Sequence, residues 1–142
     1  MPDFKNYSFS NVNVIFGILE LEGFAEGDDV VTVIMDNNLY SDMAGAKGDV
    51  LRSKTNDNRC TITVNLLQTS QSNVDLSTVY NADRELGTGV YPMVIEDKET
   101  KETYVINNAW IQKFPDVTRG QNPNAMSWIF RGDFMTPAIL DT

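Results

Sequence analysis

The sequence predicts a mainly β fold: a β-sandwich or barrel of about six to eight strands with one flanking α-helix and a long inter-strand arm. Three observations support this prediction. Most apolar segments are short and alternate with polar residues, one segment has helical spacing, and one long polar stretch separates two strands. The composition does not change along the 142 residues, so we expect a single domain over residues 1–142.

Two strands are predicted in the first quarter of the chain. Asn11–Leu21 reads as one long strand because apolar residues occupy both of its alternating faces. Val30–Met35 is β-branched and apolar throughout, which is typical of a strand that is covered on both faces. The glycines and acids of Glu22–Asp29 predict the turn between these strands.

The segment Asp36–Arg59 is longer than an ordinary loop, since loops beyond about 12–15 residues are usually functional or disordered. Its apolar residues are Leu39, Tyr40, Met43, Val50 and Leu51. Two interpretations remain open: the segment is a mobile surface hairpin, or it is an arm whose apolar residues are buried only against another subunit. We refer to residues 36–59 as the arm.

One α-helix is predicted over residues 73–86. Ser70 or Ser72 can cap its N-terminus, and Asp75 is expected in the first turn, where the helix dipole favours an acid. Gly87 is expected to end the helix. The apolar residues that recur at spacings of three or four are Leu76, Val79, Ala82 and Leu86.

The remaining strands surround this helix in sequence. Cys60–Leu66 alternates cleanly between apolar and polar residues, which makes it the clearest strand in the chain. Tyr91–Glu96 and Thr103–Ile106 are expected to form a hairpin with a charged tip. Ala109–Phe114 and Ser127–Phe134 supply two more strands, separated by a polar loop.

The composition excludes several classes of function. The chain has no histidine, which removes the usual general base, the commonest metal ligand and the usual pH switch near neutrality. Its net charge of −9 disfavours affinity for nucleic acid, which rests on Lys and Arg neutralising phosphates. We find neither a secretory leader nor an apolar run long enough to span a membrane, so we expect neither secretion by the usual route nor a membrane partner.

No residue pattern predicts catalysis, a cofactor or a metal. The acidic loops at Asp28-Asp29 and Asn56–Asn58 do not follow the spacing of a calcium loop. Cys60 has no second cysteine for a disulfide and no histidine to activate it, and its place in an apolar face suits packing as a small hydrophobe. We therefore expect a structural or binding protein rather than an enzyme, with no catalytic, cofactor-binding or metal-binding residues.

Short motifs follow one another in order through the middle of the chain: Gly48-Asp49, Arg52-Ser53, Thr55–Asn58, Thr61–Val64, Leu66–Ser70, Ser72-Asn73 and Leu76-Ser77. Together they resemble the tail-tube proteins of contractile-tailed bacteriophages, particularly a family of small phage structural proteins. The match runs from Gly48 to Ser77, about a fifth of the chain, and the flanking strands agree in length, order and character. The sequence departs from the family at Arg59-Cys60, where small residues are expected.

This resemblance implies a β-sandwich or barrel with one helix, assembled as hexameric rings that stack into a hollow tube. Strands of each subunit are expected to join edge to edge in one continuous inner barrel, and the arm to reach a neighbouring subunit or ring. The implied partners are other copies of the chain, the tail sheath protein, the tape-measure protein, and the baseplate and tail-terminator proteins. The implied location is the tail of the virion, after assembly in the cytoplasm of the bacterial host.

The resemblance also implies that double-stranded DNA passes through the tube without specific binding. An acidic wall suits such a conduit because it repels phosphates over a Debye length of about 10 Å at 0.1 M salt. We expect some of the following acids to face the lumen: Glu20, Glu22, Asp28, Asp29, Glu96, Asp97, Glu99 and Glu102.

Three alternatives remain at this stage. The first is the tube of a tailocin or a type VI-like secretion system, with the same fold and no DNA cargo. The second is a monomeric β-barrel that carries a small molecule, which the helix and the arm disfavour. The third is a hydrolase that uses paired carboxylates, for which the chain has no substrate-groove signature.

Overall fold

The computed structural model describes residues 12–25, 30–98, 100–121 and 124–139, which form ten strands and one helix. The elements are β1 (Val12–Phe16), β2 (Leu19–Glu20), β3 (Val31–Met35), β4 (Tyr40–Ala44), β5 (Val50–Lys54), β6 (Cys60–Leu67), α1 (Gln71–Leu86), β7 (Tyr91–Asp97), β8 (Glu102–Lys113), β9 (Ala125–Gly132) and β10 (Met135–Ile139). The predicted mainly β fold with one flanking helix is confirmed. Eight strands form the main sheet, and the other two lie in the arm.

The main sheet is antiparallel with the order β2-β1-β7-β8-β9-β6-β3, and β10 pairs with the first half of β8. The rings of Phe16 on β1 and Phe130 on β9 lie 5.1 Å apart, although two strands separate β1 from β9 in the sheet. Adjacent strands are about 4.8 Å apart, so this contact requires the sheet to fold over on itself. The result is a sandwich, and within the described residues β2 and β3 remain edges, so the hydrogen-bonded ladder does not close into a barrel.

The core lies between the two layers of this folded sheet. On β6 and β9 the buried residues alternate with exposed or half-buried ones, as the sequence predicted for Cys60–Leu66. The register places Val64 opposite Trp128 and Ile62 opposite Phe130, and all four side chains are fully buried. These cross-strand pairs form the centre of the core.

The helix closes one side of the core. The Ser70 side chain accepts a hydrogen bond from the Ser72 N–H, and Gly87 ends the helix in the left-handed conformation with a φ of 69°. The helix begins at Gln71, two residues before the predicted start, so Asp75 lies beyond the first turn. Leu86 was predicted in the apolar stripe but is 76% exposed, at the last position of the helix.

The prediction of one strand over Asn11–Leu21 is wrong. The chain turns at Gly17, whose φ of 65° suits glycine, and β2 folds back to pair with β1. Ile18, at this turn, is 98% exposed rather than on the core face of a strand. The alternation of apolar residues continued through a turn that only the glycine signalled.

Three further differences concern strand positions. Val30–Met35 was expected to be covered on both faces, but β3 is an edge strand and Ile34 is 58% exposed. The two predicted strands Thr103–Ile106 and Ala109–Phe114 are parts of the single strand β8. The last strand, β10, was not predicted because it contains Pro137, which an edge strand tolerates.

Candidate assembly interface

The arm is a two-stranded hairpin that forms a sheet of its own. β4 and β5 pair from Tyr40 and Lys54 at the base to Ala44 and Val50 at the tip. The Gly45 N–H donates to the Asp49 carbonyl over 2.7 Å and closes the loop. Both sequence interpretations of the arm allowed such a hairpin, and its contact with another subunit stays a prediction.

The hairpin exposes its large apolar side chains. All ten residues of β4 and β5 are exposed, and the exposed fraction reaches 71% at Met43 and 67% at Leu51. A two-stranded hairpin by itself is at best marginally stable in water, and cover for its apolar side chains stabilises it. The hairpin is therefore the part of the described chain that is most suited to contact a partner.

The two faces of the hairpin differ in chemistry because side chains alternate across paired strands. One face, which we call the charged face, comprises Tyr40, Asp42, Ala44, Val50, Arg52 and Lys54. The other, the uncharged face, comprises Ser41, Met43, Leu51 and Ser53. On the charged face the Arg52 guanidinium lies 4.1 Å from the centre of the Tyr40 ring. This cation–π contact stabilises the charge of Arg52 within the hairpin.

Backbone and side-chain bonds fix the base of the arm to the main sheet. The Asp36 N–H donates to the Arg59 carbonyl over 3.0 Å, which continues the β3–β6 pairing into the arm. The Asp36 carboxylate accepts a hydrogen bond from the Thr61 hydroxyl over 2.8 Å and forms an ion pair with Arg131 on β9. These contacts set the direction in which the hairpin leaves the main sheet and the helix, which together we call the body.

A second ion pair lies on the other strand of this base. The Arg59 side chain donates two hydrogen bonds to the Asp57 carboxylate, over 2.9 and 2.8 Å. This bidentate contact lowers the pKa of Asp57 from 3.8 to about 2 and raises the pKa of Arg59. The sequence departure at Arg59-Cys60 is thus accommodated, with Arg59 paired at the surface and Cys60 buried in the core.

The acids that were predicted from the sequence to face the lumen lie on different faces of the structure. Glu20 and Glu96 share the outer face of the layer formed by β2, β1 and β7, opposite the core. Asp97 and Glu102 lie opposite each other on the core side, at the open end of the sandwich, where the Tyr104 hydroxyl donates to Glu102 over 2.7 Å. Asp28, Asp29 and Glu99 fall outside the described residues.

Glu22 lies apart from these acids, at the start of the helix. Its backbone N–H donates to the Ser72 hydroxyl over 2.8 Å, and its carbonyl accepts from the Ser70 hydroxyl. Its side chain is exposed. The five candidate acids that the structure describes therefore form no single cluster, and of these five only Glu20 and Glu96 share a broad face of the sheet.

The described side chains assemble no reactive centre that the sequence overlooked. Burial raises the pKa of the Cys60 thiol, and the nearby charges of Asp36 and Asp133 raise it further, so the thiolate is disfavoured. No three acidic or cysteine side chains of the described ranges gather where they would hold a metal ion. The helix Gln71–Leu86 lacks the length and apolarity to cross a membrane.

Sequence reasoning missed Asp36 and Arg131 as the anchor of the arm. They are 95 positions apart in the chain, and their pairing depends on β9 lying beside β6. Neither residue lies in a local pattern that would have indicated the contact.

The fold of this chain is similar to that of chains solved in contractile injection systems. The chain is similar to the cap that terminates the tube of the anti-feeding prophage, with a TM-score of 0.65, 11% identity and coverage of 99% of this chain and 95% of that chain. It is similar to a chain of the sheath–tube complex of the extracellular contractile injection system PVC, with a TM-score of 0.60, 11% identity and coverage of 92% and 89%. At such low identity these similarities establish the fold.

The sequence establishes the family. The model of the bacteriophage PhiTE tail tube protein family matches residues 4–136, and the chain belongs to that family. Structural protein ORF10 of Pseudomonas phage KPP10 is 29% identical over 111 residues. That match covers 77% of this chain and 64% of the KPP10 protein. The resemblance seen in Gly48–Ser77 is thereby confirmed.

Proposed function

We propose that this tail-tube protein is the repeating subunit of the inner tube of a contractile phage tail, built from hexameric rings that stack into a hollow tube. Double-stranded DNA passes through this tube when the genome is ejected. The observation that carries the proposal is the exposed hairpin of a tail-tube family member: apolar residues such as Met43 and Leu51, 71% and 67% exposed in one copy, suit burial between copies.

Rings close through the edges of one layer of the sandwich. Within the described residues, β10 and the β1–β2 pair form the lateral edges of the layer β2-β1-β7-β8-β10. Pairing β10 of one subunit with the β1–β2 edge of the next joins the layers of successive subunits into a continuous barrel. A closed ring leaves no such edge exposed, which protects the tube from aggregation.

The outer face of that layer lines the lumen, because it is the broad face that carries two of the candidate acids. Glu20 on β2 lies opposite Ile15 of β1, and Glu96 on β7 lies opposite Asn13 of β1, so both carboxylates are on the same face. Repeated around a ring, these carboxylates repel the phosphates of DNA and keep it from adhering. The charge of −9 then serves passage of DNA rather than its binding.

The other surfaces bind the remaining tail proteins. The sheath surrounds the tube, the tape-measure protein fills it before ejection, and baseplate and terminator proteins contact its two ends. Assembly takes place in the cytoplasm of the bacterial host, and the finished tube belongs to the virion. The role is structural rather than catalytic.

A charge-reversal experiment in phage particles tests the conduit. Glu20→Lys with Glu96→Lys changes the charge of the proposed lumen by +4 in each subunit, and we expect ejection of DNA to slow or stall because the wall now attracts phosphates. Glu85→Lys with Asp116→Lys makes the same change in net charge at two other exposed sites and is expected to leave ejection unchanged. Equal ejection rates in both variants would contradict the proposed lumen.

A tube without DNA cargo, as in a tailocin or a type VI-like system, is the second candidate. The shared fold with chains of the anti-feeding prophage and PVC particles favours it. The family match, described for a bacteriophage tail tube, and the KPP10 relative favour the phage tail. Electron microscopy of particles purified from the native source separates the two, since a phage tail is joined to a DNA-filled capsid.

A further inference from the structure

An apolar groove lies between the β1–β2 turn and the helix. It encloses about 310 Å³, and its walls are formed by Phe16, Ile18, Leu19, Thr78, Val79 and Tyr91. Asp75 is the one charged residue that lines it among the described residues. Ile18, on the lip of the groove, is 98% exposed. We call this site the β1–β2 groove.

We propose that the uncharged face of the hairpin of one copy packs into the β1–β2 groove of a second copy. This inference rests on the proposed function and deepens it, because it names the surface that receives the arm. The occupant is Met43 and Leu51 on β4 and β5, which lie opposite each other in the hairpin and present two apolar side chains together.

The chemistry of the hairpin faces selects which one enters. Met43, Leu51 and the two serines of the uncharged face bring no charge into an apolar groove. The charged face would bring Asp42 and Arg52 with it, and removing those charges from water is costly. The cation–π contact with Tyr40 also holds the Arg52 guanidinium on the charged face of the hairpin.

The charges of the hairpin and the body are complementary. Residues 40–54 contain three basic side chains, Lys47, Arg52 and Lys54, and two acidic ones, Asp42 and Asp49, so their net charge is +1. The whole chain carries −9, so the remainder carries −10. The acid that lines the groove, Asp75, has the sign of the remainder. A hairpin therefore approaches the body of another copy with favourable electrostatics.

The size and symmetry of the contact fit an assembly rather than a dimer. Four side chains against one groove bury less than the roughly 1,000 Å² that a stable pair of proteins needs. Because the hairpin and the groove are two different patches, each copy gives one contact and receives another, so the contact propagates. Repetition around and between rings then supplies the stability that one contact lacks.

Cysteine cross-linking tests the docking in the full-length protein. Leu51→Cys protein is mixed with mass-tagged Thr78→Cys protein under tube-forming conditions, and disulfide-linked pairs are counted by mass after mild oxidation. Val50→Cys is the matched control, since Val50 is adjacent, equally exposed and on the charged face. We expect Leu51→Cys to cross-link to Thr78→Cys about tenfold more than Val50→Cys does, because a disulfide requires Cα atoms within about 4.4–6.8 Å.

The outcomes separate the docking from the proposed function. Ile18→Cys, on the opposite wall, provides a second groove position in case Thr78→Cys destabilises the helix. Tubes that form without a cross-link from Leu51→Cys to either groove position would overturn the docking and leave the tube intact. Equal cross-linking from Val50→Cys would overturn the choice of face. Failure of the unsubstituted protein to form tubes would overturn the proposed function, and the docking with it.

Discussion

β5 and β6 are consecutive strands of one chain, yet they have opposite environments. β6 buries Cys60, Ile62, Val64 and Leu66 completely, whereas β5 leaves Val50 and Leu51 exposed by 73% and 67%. β5 lies in the arm, whereas β6 is an internal strand of the main sheet, and the Asp36–Arg59 backbone bond closes the base of the arm between them. The body is thus stabilised by its own core, whereas the hairpin leaves its apolar residues exposed, as the proposed contact with another copy requires.

The largest change in the free energy of unfolding is expected from a substitution in the core of the body. Trp128, on the strand β9 that lies between β6 and β8, is fully buried, and we expect Trp128→Ala to lower the free energy of unfolding by about 3–5 kcal/mol through lost burial and a residual cavity. Chemical denaturation measures this change. Leu86→Ala, on an exposed helix residue, is the control and should stay within about 0.5 kcal/mol. A loss below about 1 kcal/mol at Trp128 would contradict the assigned core.

A smaller effect is expected where the helix joins the core. The Asn73 side chain accepts from the Trp128 indole N–H over 2.8 Å and donates to the Leu67 carbonyl over 2.7 Å. Asn73→Ala leaves the buried Trp128 indole N–H without its partner and removes one of the two hydrogen bonds that the Leu67 carbonyl accepts, so it should cost about 1–3 kcal/mol in chemical denaturation. Asn81→Ala, on the exposed part of the same helix, should change the stability little. Equal effects of the two substitutions on the free energy of unfolding would show that the Asn73 side chain does not stabilise the helix against the core.

Removal of the hairpin tests whether the hairpin serves assembly alone, because it should abolish tubes while the body still folds. Tyr40 and Lys54 lie opposite each other, so an Asn-Gly turn can replace residues 41–53 without moving the base. We expect the monomer to keep its fold and its free energy of unfolding within about 1 kcal/mol, since the deleted residues bury little, while tubes disappear. Circular dichroism with denaturant and analytical ultracentrifugation measure the two effects. Unfolding of the shortened monomer would place the arm in the core instead.

The smallest effect concerns protonation at the base of the arm. The Arg59 side chain holds the pKa of Asp57 at about 2, below its usual 3.8. Because the folded-state pKa is lowered, the contribution of this pair is present above pH 3.8 and is lost as the pH falls through about 2. Arg59→Gln should return the pKa of Asp57 towards 3.8, as carbon-detected NMR titration would measure. An unchanged pKa in that variant would mean that another group holds it down.

The sequence predicted the parts of the fold that local patterns determine. Cys60–Leu66 alternates without interruption and Ser70 and Gly87 mark the helix ends, so both elements were placed to within about two residues. The turn at Gly17 and the strand at Met135–Ile139 were missed, because in each the apolar pattern conflicts with one glycine or proline. Such conflicts are decided by tertiary packing, here Tyr91 against Gly17 and the edge position of β10.

For the candidate site, the sequence identified the apolar residues of the arm but not their arrangement. Leu39, Tyr40, Met43, Val50 and Leu51 were grouped as one set, whereas the register of β4 and β5 places Tyr40 and Val50 on one face and Met43 and Leu51 on the other. A shift of one residue in that register would exchange the faces, and the loop geometry that fixes it was not evident from composition. The β1–β2 groove also required the fold, because it joins a turn to a helix more than fifty positions away.

Cryo-electron microscopy of the purified full-length protein tests the central claim most directly. We predict hollow tubes of stacked rings, in which Met43 and Leu51 of each hairpin are covered by a neighbouring copy and the face with Glu20 and Glu96 lines the channel. A protein that stays monomeric at high concentration, or tubes whose hairpins extend uncovered into solvent, would contradict it.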